Sequence, residues 1–185
     1  INITGELVES SYSSTIPNII IKEVRIGTNV KSIGIQAFYL CSNLETVTID
    51  NSVTSIGNAA FSQCIRLASV TIGNSVVTIG EKAFYKCSVL QSFIIPNSVT
   101  TIGKEAFAYC FVLETLTIPD SVTKIGYEAF FRNDELKKVY MSEIARNNLD
   151  LTFGPRQSFF GSKPEIINIS PESKEKAEQE KLEAE

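Results

Sequence analysis

Apolar residues along this chain recur on a fixed period of 23. The pattern Ile-Gly-x-x-Ala-Phe-x-x-Cys-x-x-Leu-x-x-Val-x-Ile runs from Ile33 to Ile49 and returns at Ile56, Ile79, Ile102 and Ile125 without insertion. In the repeat around Ile56 the apolar positions are Val53, Ile56, Ala60, Phe61, Cys64, Leu67, Val70 and Ile72, and each recurs in register. A period in this range marks a solenoid, whose repeats bury their apolar faces by stacking on one another. Stacking puts column neighbours one strand spacing apart, about 4.8 Å. Phe38, Phe61, Phe84, Phe107 and Phe130 then form a continuous spine, and Ala37, Ala60, Ala83, Ala106 and Ala129 leave room for it.

Within each repeat the pattern predicts short elements. Val70-Thr71-Ile72 alternates in, out, in, as a half-buried strand does. Strands are expected near residues 24–26, 47–49, 70–72, 93–95, 116–118 and 139–141, parallel and in one sheet. Turn residues follow at Asp50-Asn51-Ser52, Gly73-Asn74-Ser75, Pro96-Asn97-Ser98 and Pro119-Asp120-Ser121. Val53 to Ile56 reads as a second short extended stretch. The column Gly34, Gly57, Gly80, Gly103 and Gly126 marks a corner, through either a positive φ or close approach of two coils. Stretches such as Glu105-Ala106-Phe107-Ala108 leave space for about one helical turn on the outer side.

The register reaches beyond the clear repeats. One period back from Val47, Ile49 and Val53 lie Val24, Ile26 and Val30, and a second step gives Ile1, Ile3 and Leu7. Ile1 thus falls inside a repeat and reads as a boundary of expression or processing. Residues 1–18 form a degenerate N-terminal repeat in which Thr15 takes the Phe column's place, and residues 19–141 are the regular repeats. From Phe130 to Phe160 the spacing is 30 residues, seven too many, yet Phe160, Ile166 and Ile169 suit the Phe, Leu and Val columns. Residues 142–170 are expected to be an irregular capping repeat. Residues 171–185 are a charged tail, either a solvated helix or a linker.

Composition narrows the function classes. The net charge of −4 gives no basic footprint for nucleic acid. No apolar run approaches a membrane span. The first residues do not read as a secretory leader, so targeting information is expected to be absent or removed. There is no His, which takes away the usual general base and the commonest metal ligand. Without His a Ser nucleophile would need a Lys base. Ser170-Pro171-Glu172-Ser173-Lys174 offers no such context, and no phosphate-binding loop is present. Glu45, Glu114, Asp120 and Glu128 sit at outward positions as solvated charges rather than an acid–base pair. The triplets Asn2-Ile3-Thr4 and Asn168-Ile169-Ser170 match the glycosylation sequon, but their central Ile residues read as buried.

Cys41, Cys64, Cys87 and Cys110 form a tempting cluster. Metal ligands must converge on a point, whereas these lie along a line. Disulfides need Cβ atoms about 3.5–4.5 Å apart, closer than parallel stacking keeps them. The full column reads Asn18, Cys41, Cys64, Cys87, Cys110, Asn133, and Asn shares only the capacity to hydrogen-bond with backbone. The expectation is a buried ladder of reduced thiols.

The repeat Leu-x-x-Val-x-Ile-Pro-x-Ser-Val-Thr-x-Ile-Gly-x-x-Ala-Phe-x-x-Cys, as at Leu90 to Cys110, resembles the BspA-type leucine-rich repeat across residues 19–141. Ser158-Phe159-Phe160-Gly161 is similar to C-terminal ends of that family. The resemblance implies a leucine-rich repeat solenoid, β-rich with short helical turns. It is a curved right-handed stack with a parallel β-sheet on its concave side. It implies surface-exposed or secreted proteins that bind host or matrix proteins, and it brings no catalytic site with it.

Two surfaces are candidates for binding. The outward strand column Arg25, Thr48, Thr71, Ile94, Thr117, Tyr140 lies beside Glu23, Thr46, Ser69, Ser92, Thr115, Lys138. Hydroxyl ladders of this kind suit sheet packing; as a binding face they would offer Arg25, Ile94 and Tyr140 as anchors. The second candidate is the outer aromatic set Tyr39, Tyr85, Tyr109 and Phe111, which would mark a contact surface or shield the outer turns. The sequence thus reads as a monomeric, non-enzymatic module for a protein or glycan, with no cofactor, no metal, no nucleic acid and no membrane insertion. Its expected setting is cell-surface or secreted adhesion. The alternative is a cytoplasmic interaction scaffold, which reduced thiols also fit.

Overall fold

In the computed structural model the described residues are 2–3, 21–148 and 164–169. Each coil opens on a concave strand. These are β1 (Asn2–Ile3), β2 (Glu23–Ile26), β4 (Thr46–Ile49), β6 (Ser69–Ile72), β8 (Ser92–Ile94), β10 (Thr115–Ile118), β12 (Lys138–Met141) and β13 (Glu165–Asn168). A turn leads to a two-residue strand on a second face: β3 (Ser32–Ile33), β5 (Ser55–Ile56), β7 (Thr78–Ile79), β9 (Thr101–Ile102) or β11 (Lys124–Ile125). All pairing is parallel, and every partner between β2 and β12 lies one period away, as in Val24↔Val47 and Leu116↔Val139. The pairs Asn2↔Arg25 and Ile3↔Ile26 carry that register back to the first strand.

Burial follows the columns. Phe61, Phe84, Phe107 and Phe130 are fully buried, with Ala60, Ala83, Ala106 and Ala129 beside them. The rings stack nearly parallel from Phe38 to Phe130, with centroids 5.1–5.5 Å apart. A 23-residue coil offers no second layer, so this spine is the centre of the core.

The expected single concave sheet is in fact two. One runs β1-β2-β4-β6 and the other β13-β12-β10-β8, while the second face is one sheet, β11-β9-β7-β5-β3. The break falls at Phe93, where the column otherwise holds Val24, Val47, Val70, Leu116 and Val139. Phe93 packs edge-on against Phe84 and Phe107, with centroids 5.1 and 4.6 Å away. Pro96 removes a further rung: Asp50 and Gly73 donate their N–H groups to Ile26 and Ile49, but proline has none to give to Ile72.

The outer arc also departs from expectation. It is a series of turns rather than a helical turn, and the described residues contain one α-helix, α1 (Glu143–Asn148). Two non-glycine residues per coil hold positive φ, such as Lys82 (56°) and Lys86 (58°), or Glu105 (53°) and Tyr109 (63°). The strain serves a third ladder: the N–H groups of Lys82, Phe84 and Lys86 donate to the carbonyls of Lys104, Ala106 and Ala108 in the next coil at 2.7–2.9 Å. Helical bonds would point these groups along their own coil. The corner glycines resolve the other way. Gly57, Gly80, Gly103 and Gly126 have ordinary φ, and a Cβ on any of them would lie 2.4–2.8 Å from atoms of the preceding coil. Close approach, not backbone freedom, demands glycine here.

At the C-terminal end, Val139 pairs with Ile166 and Tyr140 with Ile167. Ile166 therefore occupies the Val column and not the Leu column, and Ile169, whose N–H reaches the Met141 carbonyl, lies beyond the Val column. The step from Val139 to Ile166 is 27 residues, because α1 takes up part of the extra length. Phe160 and the charged tail lie outside the described residues.

Candidate functional site

Alternation along the strands sends Val and Ile inward and the intervening residues onto the concave face. The predicted column is realised in two runs, Arg25↔Thr48↔Thr71 and Ile94↔Thr117↔Tyr140, with Asn2 and Ile167 extending its ends. Beside it run Glu23↔Thr46↔Ser69 and Ser92↔Thr115↔Lys138↔Glu165. Arg25 is exposed, and its Nε bonds Glu23 Oε1 at 2.8 Å, so this anchor carries its own counter-ion. Ile94 is 69% exposed, the most of any large apolar residue described. Tyr140 is half-buried. The sequence reading missed Ile167, because its register depends on the irregular final step.

The thiol column is a hydrogen-bonded ladder. Cys64, Cys87 and Cys110 donate their Sγ–H groups to the carbonyls of Phe38, Phe61 and Phe84 at 3.2, 3.3 and 3.4 Å. All four cysteines are buried free thiols. Asn133 takes part as an acceptor, its Oδ1 receiving the Cys110 N–H at 2.9 Å. Burial pushes the thiols up, Cys41 to about 11 and Cys110 to about 12, with Cys64 and Cys87 also well above the usual thiol range. The thiolate is the reactive form, so these groups are chemically quiet.

On the outer side the aromatic set divides. Tyr85, Tyr109 and Phe111 meet edge to face, and Phe131 joins them against Tyr109 at 5.3 Å. Tyr39 stands apart and accepts a hydrogen bond from Gln63. Phe131 was missed in the sequence, although it lies two periods from Tyr85. Lys86 sits over both tyrosines, 5.4 and 5.7 Å from the ring centres. Much of this ring surface is turned on itself, which favours shielding of the outer turns.

Comparison with known proteins agrees with the geometry. The family model for the BspA type leucine rich repeat region matches residues 11–137 in six copies. A leucine rich repeat protein of T. pallidum is similar at 32% identity and TM-score 0.64, over 65% of this chain and 58% of that one. One from Bacteroides ovatus shows 34% identity and TM-score 0.61, over 65% of this chain and 34% of its own. One from Eubacterium ventriosum shows 32% identity and TM-score 0.65, over 77% and 38%. This chain spans between about a third and three fifths of those proteins' lengths. No curated protein matches.

Proposed function

Since the chain belongs to the BspA-type leucine-rich repeat family, we propose that it is a non-enzymatic module that binds a protein or glycan through its concave face. The observation that carries this is the pair of outward columns, whose side chains are spaced by parallel pairing at a strand interval. Such pre-arranged side chains lose little freedom on binding. The three solved relatives are named leucine-rich repeat proteins and nothing more specific. The family resemblance supports a cell-surface or secreted setting and a role in adhesion.

The test is a binding titration of the protein against immobilised matrix proteins and a glycan array. Affinity is expected to be modest, because Thr and Ser supply few anchors. Arg25→Ala and Tyr140→Ala should weaken binding, whereas Tyr85→Ala should leave it unchanged. The opposite ranking would move the site to the outer aromatics. A second reading, an intracellular interaction scaffold, is favoured by the four free thiols. The reading frame upstream of Ile1 distinguishes the two: a secretory leader supports adhesion.

A further inference from the structure

Between the outer arc and the next concave strand, each coil makes the same four-residue turn. Leu44, Leu67, Leu90 and Leu113 donate their N–H groups to the carbonyls of Cys41, Cys64, Cys87 and Cys110, and Leu136 to that of Asn133, at 2.9–3.1 Å. Both ends of the turn are buried, so its two central residues are turned outward. Successive turns touch, since the Ser88 Oγ donates to the Ile65 carbonyl at 3.2 Å. The central pairs read Ser42-Asn43, Ile65-Arg66, Ser88-Val89, Phe111-Val112 and Asp134-Glu135. Asn, Asp and Ser are favoured in turns, through side chains that bond the nearby backbone. Ile65, Val89 and Phe111 bring nothing of that kind, yet they are 47, 40 and 37% exposed. One exposed apolar side chain is ordinary surface; three in adjoining turns make a stripe, and an apolar stripe marks a contact site.

The cations beside the stripe lack carboxylates. Arg66 donates to the Asn43 amide oxygen at 2.8 Å, and Lys86 lies over the Tyr85 and Tyr109 rings. Among the described residues neither forms an ion pair, whereas Asp134 and Glu135 at the end of the column are held by Arg132 and Lys137. Spacing selects a conformation as well as a charge. The coils of Ile65, Val89 and Phe111 are 5.3 and 5.2 Å apart at their stacked phenylalanines. An α-helix advances about 5.4 Å per turn, so a helix laid along the stack meets each coil with one side chain. An extended segment repeats on one face about every 6.8 Å and falls out of step within two coils. We infer that this stripe of turns is a second interaction surface, which takes an acidic amphipathic helix of a partner protein. Apolar residues at i, i+4 and i+7 of that helix pack on Ile65, Val89 and Phe111, and flanking carboxylates meet Arg66 and Lys86. The surface is separate from the concave face and does not depend on it. The chain's own acidic tail, residues 171–185, has one large apolar residue, Leu182, and does not fill three positions. A second copy would bring Asp134 and Glu135, whose charges are already met.

The test selects a displayed library of single helices, about five turns long and randomised on one face, against the natural protein. It should yield acidic helices with apolar residues at i, i+4 and i+7. Ile65→Asn and Val89→Asn put turn-favouring residues at two positions of the stripe. Each should weaken the selected helices by about tenfold or more while the thermal midpoint stays in place. Arg66→Glu combined with Lys86→Glu should weaken acidic helices and admit basic ones. The proposal falls if selection yields no helix, if the selected helices are basic or uncharged, or if they bind both Asn variants as tightly as the natural protein. A lower midpoint in both Asn variants would make the stripe internal packing and overturn it as well. Sedimentation showing the natural protein dimeric and Val89→Asn monomeric would assign the stripe to a second copy. Tighter helix binding after removal of residues 171–185 would assign it to the tail. Arg25→Ala and Tyr140→Ala should leave helix binding unchanged, so this surface and the concave reading fail separately.

Discussion

Each coil draws its core from one phenylalanine stacked between two others. Phe84 lies 5.3 Å from Phe61 and 5.2 Å from Phe107 and is fully buried. Phe84→Ala should cost on the order of 3–5 kcal/mol as a cavity, read as a lower urea midpoint. Gly103 is as constrained as the ring, because a Cβ there would meet the Glu81 nitrogen at 2.5 Å and the Gly80 carbonyl carbon at 2.6 Å. Gly103→Ala should therefore destabilise by roughly 1–3 kcal/mol in the same assay. The thiols predict a pH effect. Unfolded thiols ionise near pH 8.5, whereas folded Cys41 and Cys110 hold their protons up to about 11 and 12. Above the unfolded value the unfolded chain binds fewer protons, so stability falls as pH rises. The contribution is complete below about pH 8.5 and is lost progressively through pH 11–12, at up to about 1.4 kcal/mol per pH unit per thiol. A thermal midpoint unchanged between pH 8 and 11 would contradict this. The Phe, Ala and Cys positions were legible because each needs a specific shape at every repeat. The positive-φ positions were not, since Gln36, Ala59, Lys82, Glu105 and Glu128 share no chemistry. Their conformation comes from carbonyls in the next coil.

Elements were legible where the local pattern decides them and obscure where neighbouring coils do. Strand positions follow from alternation, and parallel pairing follows from the period. The break between β6 and β8 does not, because Phe93 is as apolar as Val and satisfies the same pattern, and its edge-on packing against Phe84 and Phe107 shows only in three dimensions. The last step was misjudged for a related reason. Phe160 suggested a seven-residue excess, but the pairing of Val139 with Ile166 leaves four. Helix α1 accounts for the turn away from β12, and its start rests on Ser142. The Ser142 Oγ accepts the Ala145 N–H at 3.0 Å and bonds Asp120 across one coil. Ser142→Ala should remove about 1 kcal/mol of stability as a lost helix cap, with a lower thermal midpoint. An unchanged midpoint would show that α1 contributes little.

The whole molecule is a stack whose stability depends on neighbours, so its ends matter more than their length suggests. Truncation after Met141 would take away β13, the strand that pairs along β12. The shortened protein should associate through the bared edge, visible as a larger species in sedimentation. A monomer of equal stability would show that residues 142–170 are not a cap. The candidate face was only partly legible: its columns follow directly from the period, while the break in pairing between β6 and β8 shows only in the sheet topology.

Three ladders tie most coils to the next: concave strands, second-face strands and the outer turns. Between the coils that open on β6 and β8 only two remain, the β7–β9 strands and the outer turns. Pulled from its two ends, the solenoid is a chain of links with one weaker than its neighbours, and that link lies near the middle. Under tension the first yield should come there, separating the coils of Phe84 and Phe107 before any other pair. The released halves would each still hold a stacked core. A solenoid built this way would lengthen in one early step when its ends are drawn apart.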